Sequence, residues 1–295
     1  MQNRIAAIIL NYNNYADTCK CVDNILDKCD VEIVIVDNAS TNDSYRILNE
    51  KYGHIINCHV LASEKNRGYS AGNNIGMKYL KENIPNIEYY TIMNPDTLFE
   101  DSNVLKILAD NLDENKQIAV IAPVMWMHGE NCLEQSTWSI PTTFDYLRRQ
   151  FIRYNAKKRK KIVLDDNNCR LYYTEVIHGS FYMIRADVIE QIGYLDENLF
   201  MYGEENLLAI KIKELGYVEA IALDVRYEHN HLQSKDRKTF KQDVQSLYRG
   251  GAHSRRYIWK QYYPQFMLPL VDLIFAINVV TYLLIHIKRF LKKMI

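Results

Sequence analysis

Asp96 stands in Asn94-Pro95-Asp96-Thr97, directly after the β-rich run 89–93. Proline cannot donate to a sheet ladder, so a strand must stop there and present Asp96 in a turn. A turn carboxylate at a strand exit suits a divalent cation, which needs only one or two protein carboxylates when phosphate oxygens fill its other positions. A plain turn or N-cap aspartate is the structural alternative. Asp37 ends another strand, in Asp37-Asn38-Ala39-Ser40. A carboxylate there can accept hydrogen bonds from a base or ribose edge, and a cap on the following turn explains it equally well. Residues 64–74 bring Gly68 and Gly72 to the approach of a helix, where backbone amides suit an anion or sugar oxygens. This is not a dinucleotide fingerprint, because Gly68, Gly72 and Gly76 recur every four residues. Glu204 and Glu205 offer a carboxylate that can take a proton from a hydroxyl. Their plain reading is the first turn of a helix, where negative charge is favoured anyway. His229, followed by Asn230 and His231, adds an imidazole that suits Mn²⁺ better than Mg²⁺.

These residues need a scaffold, and the first ~125 residues supply its pattern: short β-rich runs alternating with helical stretches, as in a sheet covered by helices. Expected strands are 4–10, 32–36, 55–61, 88–93 and 118–124, with helices starting near Asn14, Asp43, Ser70 and Ser102. Asp43 and Ser102 read as N-caps. Ligands of such sheets bind beyond the carboxyl ends of the strands. Here successive exits carry Asn11-Tyr12-Asn13, Asp37-Asn38-Ala39-Ser40 and Asn94-Pro95-Asp96-Thr97, so three polar clusters face one crevice. A second αβ segment holds His178-Gly179-Ser180 and Tyr202-Gly203-Glu204-Glu205.

Composition bounds the problem. The 295 residues are 48% hydrophobic and 24% charged, an ordinary globular balance with room for one large α/β domain and an appendage. Six cysteines without a CxxC pair or zinc spacing suit reduced cytosolic thiols. The apolar run 5–10 is too short for a secretory signal and reads as a buried strand. The net charge is zero, yet 148–161 holds Arg148, Arg149, Arg153, Lys157, Lys158, Arg159, Lys160 and Lys161 without an acid, and the stretch after Lys235 is basic again. Such clusters suggest an anionic surface or substrate, or simply a solvated face.

Together the segments Ile8-Ile9-Leu10-Asn11-Tyr12-Asn13, Val36-Asp37-Asn38-Ala39-Ser40, Asn66-Arg67-Gly68-Tyr69-Ser70-Ala71-Gly72-Asn73-Asn74 and Met93-Asn94-Pro95-Asp96-Thr97 resemble family 2 glycosyltransferases, most closely the bacterial rhamnosyl- and galactofuranosyl-type members. The resemblance covers about residues 4–234. It implies an α/β GT-A fold, with a mostly parallel, Rossmann-like nucleotide-binding sheet flanked by helices and, here, a helical C-terminal tail. It also implies Asn11, Tyr12, Asp37, Asn38, Arg67, Gly68, Asn73 and Asp96 on the donor side, with Asp96 and His229 holding Mn²⁺ or Mg²⁺. The acceptor side would include Gly179, Ser180 and Tyr202. Where the family writes Glu-Asp, one residue, then Asp, this chain has Glu204-Glu205-Asn206-Leu207. Glu205 takes the position of the catalytic base, with Glu204 the other candidate, and Leu207 abandons the second acid. The family also places a Ser five positions after its His, which Ser234 matches.

The implied activity is inverting transfer of a hexosyl or deoxyhexosyl group from a nucleotide-sugar donor to a hydroxyl of a glycan or lipid-pyrophosphate-linked acceptor. Its setting would be bacterial surface polysaccharide synthesis, such as capsule or cell wall, at the cytoplasmic face of the membrane. Rival readings are a sugar-1-phosphate nucleotidyltransferase and a degenerate transferase acting as an assembly partner. The first expects a Gly-rich basic loop where Asn11-Tyr12-Asn13-Asn14 stands, and Leu207 alone favours the second. Residues 1–234 are expected to form the transferase domain, with a donor half to about 125 and an acceptor half from 126. Residues 235–295 form a helical, basic and apolar extension. In it, 268–287 are almost wholly apolar and precede Lys288, Arg289, Lys292 and Lys293, which suggests a membrane surface or a homo-oligomer interface. Nucleic acid is not an expected partner.

Overall fold

The run Ile-Ala-Ala-Ile-Ile-Leu-Asn forms the strand β1 (Ile5–Asn11), nearly continuous in its apolar character because both faces are covered. The computed structural model describes residues 4–148, 170–229 and 253–291. By contact they divide into two units, one of residues 4–140, 170–197 and 204–229, the other of 141–148, 198–203 and 253–291.

In the first unit β1 is followed by α1 (Tyr15–Lys28), β2 (Glu32–Asp37), α2 (Ser44–Tyr52), β3 (Cys58–Ala62), α3 (Tyr69–Asn83), β4 (Tyr89–Met93), β5 (Thr97–Leu98), α4 (Val104–Glu114), β6 (Ile118–Met127), β7 (Glu130–Asn131), α5 (Leu133–Ser136) and β8 (Thr137–Trp138). After α6 (Thr143–Arg148) of the second unit come β9 (Leu171–Thr174), β10 (Val176–Ile177), β11 (Phe181–Arg185), α7 (Ala186–Gln191), α8 (Glu204–Glu214) and β12 (Val218–His229). The main sheet runs β3-β2-β1-β4-β11-β6-β12-β5. Its first four strands are parallel. The sheet becomes mixed where β11 enters antiparallel between β4 and β6.

Period-two alternation divides the core into two layers. Ala7, Ile9, Ile33 and Ile35 face Val22 and Ile25 of α1, Leu48 of α2 and Leu105 and Leu108 of α4. Ala6, Ile8, Val34 and Val36 face Met77 and Leu80 of α3, with Val188 of α7 and Leu208 and Ile212 of α8 in the same layer. The four-residue glycine spacing lets α3 lie close on the sheet: a Cβ at Gly76 would stand 2.7 Å from Ile8 Cγ2. Buried Arg185 donates to the Ile118 carbonyl at 2.8 Å and to the Leu112 carbonyl, tying the end of α4 to the start of β6.

Two boundaries differ from the sequence expectation. Residues 55–57 form a turn rather than the start of a strand, with the Ile55 and Cys58 amides bonded to the Tyr52 and Ile55 carbonyls. Ser102 is not the cap of α4. Asn103 holds that position, and Asp101 accepts its amide at 2.8 Å. Asp43 does stand at the N-cap of α2, although its side chain makes no capping bond.

The second unit contains α6, α9 (Ser254–Tyr262) and α10 (Leu268–Leu291). Tyr263 stacks on both Tyr146 and Trp259, whose own rings meet at a tilt, and Arg256 pairs with Asp272 at 2.9 Å. Pro269 falls in the first turn of α10, where a missing N–H costs nothing. Among the described residues no helix is long and apolar enough to cross a membrane.

Candidate active site

The exits of β1 and β2 are locked to each other. Asp37 Oδ2 accepts from Asn11 Nδ2 at 2.7 Å and from the Ser40 hydroxyl at 2.6 Å, while Oδ1 accepts the Ser40 amide at 2.9 Å. Asn11 Oδ1 takes the Thr18 hydroxyl at 2.8 Å. A buried carboxylate is tolerated when donors surround it, and Asn11, Asp37 and Asn38 are all buried. Asn38 donates to the Gly68 carbonyl at 3.1 Å and to Asn66 Oδ1 at 3.2 Å, which brings the glycine loop against this wall. Gly68, at φ +98°, occupies backbone that favours glycine. Asn73 is buried and donates to the Tyr69 carbonyl at 3.0 Å. Arg67 pairs with Glu197 at 2.9 Å, and Asn74 grips Glu197 and both backbone groups of Leu195. Tyr12 is exposed. Asn74 closes the glycine-loop segment already singled out in the sequence, whereas Thr18 carries no motif of its own.

Asp96 and His229 meet because the short β5 pairs antiparallel with the end of β12, Thr97 opposite His229. Asp96 Oδ1 lies 3.3 Å from His229 Nε2. The His229 ring packs 5.6 Å from His178, whose Nδ1 is 2.9 Å from the Ser180 hydroxyl, itself 2.6 Å from the Tyr227 hydroxyl. Among the described residues no group of three or more His, Cys, Asp or Glu could hold a metal. Asp96 and His229 supply one oxygen and one nitrogen donor. That set fits a divalent cation whose remaining positions go to phosphate oxygens and water.

Glu204 and Glu205 open α8 and line a narrow cleft with Tyr69, Gly179, Tyr182 and Glu219. Gly179 has no side chain to push Glu205 away: a Cβ there would sit 3.1 Å from Glu205 Oε1. The Tyr69 hydroxyl donates to the Gly179 carbonyl at 2.6 Å. Burial raises the Tyr69 and Tyr182 hydroxyls well above their usual range, and the neighbouring glutamates raise both further. Asn206 accepts the Trp138 indole N–H at 2.9 Å. Leu207, where the family pattern has an acid, is a buried core residue. Glu219 is the residue that sequence reading missed. It sits in the apolar strand run 218–222, and only its buried position distinguishes it.

The three clusters are joined along the chain: Gly68, held to the Asn11–Asp37–Asn38 wall, precedes Tyr69 of the cleft, and Gly179 beneath Glu205 precedes Ser180 beside His178. Tyr202, expected on the acceptor side, lies in the 198–203 segment of the second unit, exposed and at φ +70°. Asn230, His231, Ser234 and the basic run from Arg149 to Lys161 lie outside the described residues.

The family model described as glycosyl transferase family 2 matches residues 6–193. The chain is 28% identical over 207 residues to the low-salt glycan biosynthesis hexosyltransferase Agl10 of Haloferax volcanii, covering 70% of this chain and 60% of that protein's length. It is 24% identical over 196 residues to the rhamnosyltransferase WbbL of Escherichia coli K12, covering 64% of this chain and 71% of the other. Among solved structures, the mannosyltransferase PcManGT from Pyrobaculum calidifontis, in complex with GDP-Man and Mn²⁺, superposes with a TM-score of 0.55 at 16% identity, over 92% of this chain and 69% of that one. TarS 1–349 of S. aureus gives 0.52 at 18% identity, over 90% and 77%. These likenesses show the GT-A fold.

Proposed function

Because the chain belongs to glycosyl transferase family 2, we propose that it moves a hexosyl or deoxyhexosyl group from a nucleotide-sugar donor to an acceptor hydroxyl, with inversion and with a divalent cation. The observation that carries this reading is the joining of a donor wall (Asn11, Asp37, Asn38, Arg67, Gly68, Asn73), an Asp96–His229 pair and the Glu205 cleft through Gly68-Tyr69 and Gly179-Ser180. Mannosyltransferase PcManGT holds GDP-Man and Mn²⁺, and GalNAc-T7 holds UDP, GalNAc and Mn²⁺. A nucleotide donor and Mn²⁺ are the corresponding ligands for this chain.

In this mechanism Glu205 takes the proton of the acceptor hydroxyl as that oxygen attacks the anomeric carbon. The glycosidic bond to the diphosphate breaks, and a single displacement inverts the centre. Asp96 and His229 would hold the cation, Mn²⁺ in preference to Mg²⁺, which when bound neutralises the charge developing on the leaving diphosphate. Gly179 keeps the space into which Glu205 projects. Arg67, held by Glu197, lies beside Gly68 at the donor wall. Gly179, Ser180 and Tyr202 are assigned to the acceptor side.

The acceptor class proposed is a glycan or a lipid-pyrophosphate, handled at the cytoplasmic face of a bacterial membrane during surface polysaccharide synthesis. Support comes from α10, whose Leu270, Leu273, Ile277, Val280 and Leu284 are exposed at helical spacing, followed in sequence by Lys288, Arg289, Lys292 and Lys293. An uncharged apolar stripe with cations beyond it suits an anionic bilayer surface. The test of the activity is a thermal-shift screen of nucleotide sugars with Mn²⁺, followed by turnover of any donor that binds. Stabilisation by at least one donor is expected, and no response to any of them would overturn the reading.

A further inference from the structure

Glu219 is a buried acid without an obvious use. It lies on β12, 3% exposed, with Oε2 accepting the Ile177 amide at 2.8 Å and Oε1 buried without a hydrogen-bond partner. It lines the same narrow cleft as Glu205, which has space for about one water molecule. The ionisable groups facing it are Tyr69 from α3, Tyr182 from β11 and Glu204 and Glu205 from α8. No Lys, Arg or His is among the described lining residues. Burial pushes Glu219 well above the usual carboxyl range; the Ile177 amide draws it back, and the Glu205 charge raises it again. Two carboxylates in one narrow, buried cleft cannot both ionise cheaply. A neutral acid answers both, because it removes one of the two like charges and gives the orphaned Oε1 a hydrogen to donate.

We propose that Glu219 is a positioning residue: a carboxylic acid that stays protonated and donates across the cleft to Glu205, holding that carboxylate over Gly179. The inference rests on Glu205 being the base. It explains why an acid stands in an otherwise apolar strand run, and why Glu205 needs no second acid at position 207.

The test compares the wild-type chain with Glu219→Gln and Glu219→Leu. Infrared difference spectra on ¹³C-glutamate-labelled protein are expected to show a protonated carboxyl band at neutral pH that Glu219→Gln removes. The glutamine variant keeps a neutral donor, so its kcat stays near wild type and the alkaline limb of its pH–rate profile moves upward. The leucine variant is expected to lose about tenfold to a hundredfold in kcat with donor KM unchanged, as for a base left slightly misplaced. Absence of the band, or a glutamine variant as slow as the leucine one, would overturn the proposal. If Glu219→Leu does not fold, the band and the glutamine profile still decide. Full turnover by Glu205→Gln would instead remove the base assignment, and with it the positioning role, while leaving the band in place.

Discussion

At the scale of single residues, the site depends on one close approach and one pair. The Gly179 Cα faces Glu205, and a Cβ there would come within 3.1 Å of Oε1. Gly179→Ala is therefore expected to lower kcat with little change in melting temperature, measured by steady-state kinetics beside calorimetry. Asp96→Asn and His229→Ala should each weaken Mn²⁺-dependent donor binding by about tenfold to a hundredfold, read by titration calorimetry with and without Mn²⁺. Unchanged Mn²⁺ dependence in both would remove the pair from the metal site. Asp96 was legible in the sequence because proline marks the strand exit. Asp37 was legible only as an alternative between ligand and cap, and both its oxygens are in fact engaged by Ser40 and Asn11. Glu219 was not legible, since no motif surrounds it and its partner, the Ile177 amide, arrives from β10 through the folded topology.

At the scale of elements, the parallel half of the sheet followed from uninterrupted apolar runs, and helix positions followed from periodicity. What the sequence withheld was pairing between distant segments. The strand β5 has only two residues, too few for a periodic signal, yet it brings Asp96 to His229. Strand β11 is a plain buried run whose antiparallel direction depends on neighbours far along the chain. The α3–sheet contact tests the close packing that the glycine spacing implies. In an open helix interior, Gly→Ala gains about 1 kcal/mol. At Gly76 the new methyl would meet the buried Ile8 Cγ2 at 2.7 Å. Gly76→Ala is therefore expected to destabilise by about 1–3 kcal/mol, measured by urea denaturation; stabilisation would show that the helix can lift away freely.

At the scale of the whole molecule, stability should carry a signature of the buried acid. Glu219 has a folded-state pKa raised above its unfolded value. The folded chain thus keeps a proton that the unfolded chain has released. Its contribution is fully present below the unfolded carboxyl pKa of about 4.3 and is lost as pH rises toward the folded value. Glu219→Gln should remove that decline, so its unfolding midpoint is expected to exceed wild type increasingly from mildly acidic to neutral pH. Membrane association is read separately. Leu273→Glu with Ile277→Glu should reduce co-sedimentation with anionic phospholipid vesicles while leaving donor binding intact, and equal sedimentation would point to another role for the exposed stripe. The most direct measurement is turnover of a bound nucleotide-sugar donor with Mn²⁺ by wild type and Glu205→Gln, with the product anomer read by NMR. The expected result is an inverted product and a loss of at least about 100-fold in kcat for the variant, with donor affinity unchanged. Full activity in Glu205→Gln, or a product of retained configuration, would contradict it.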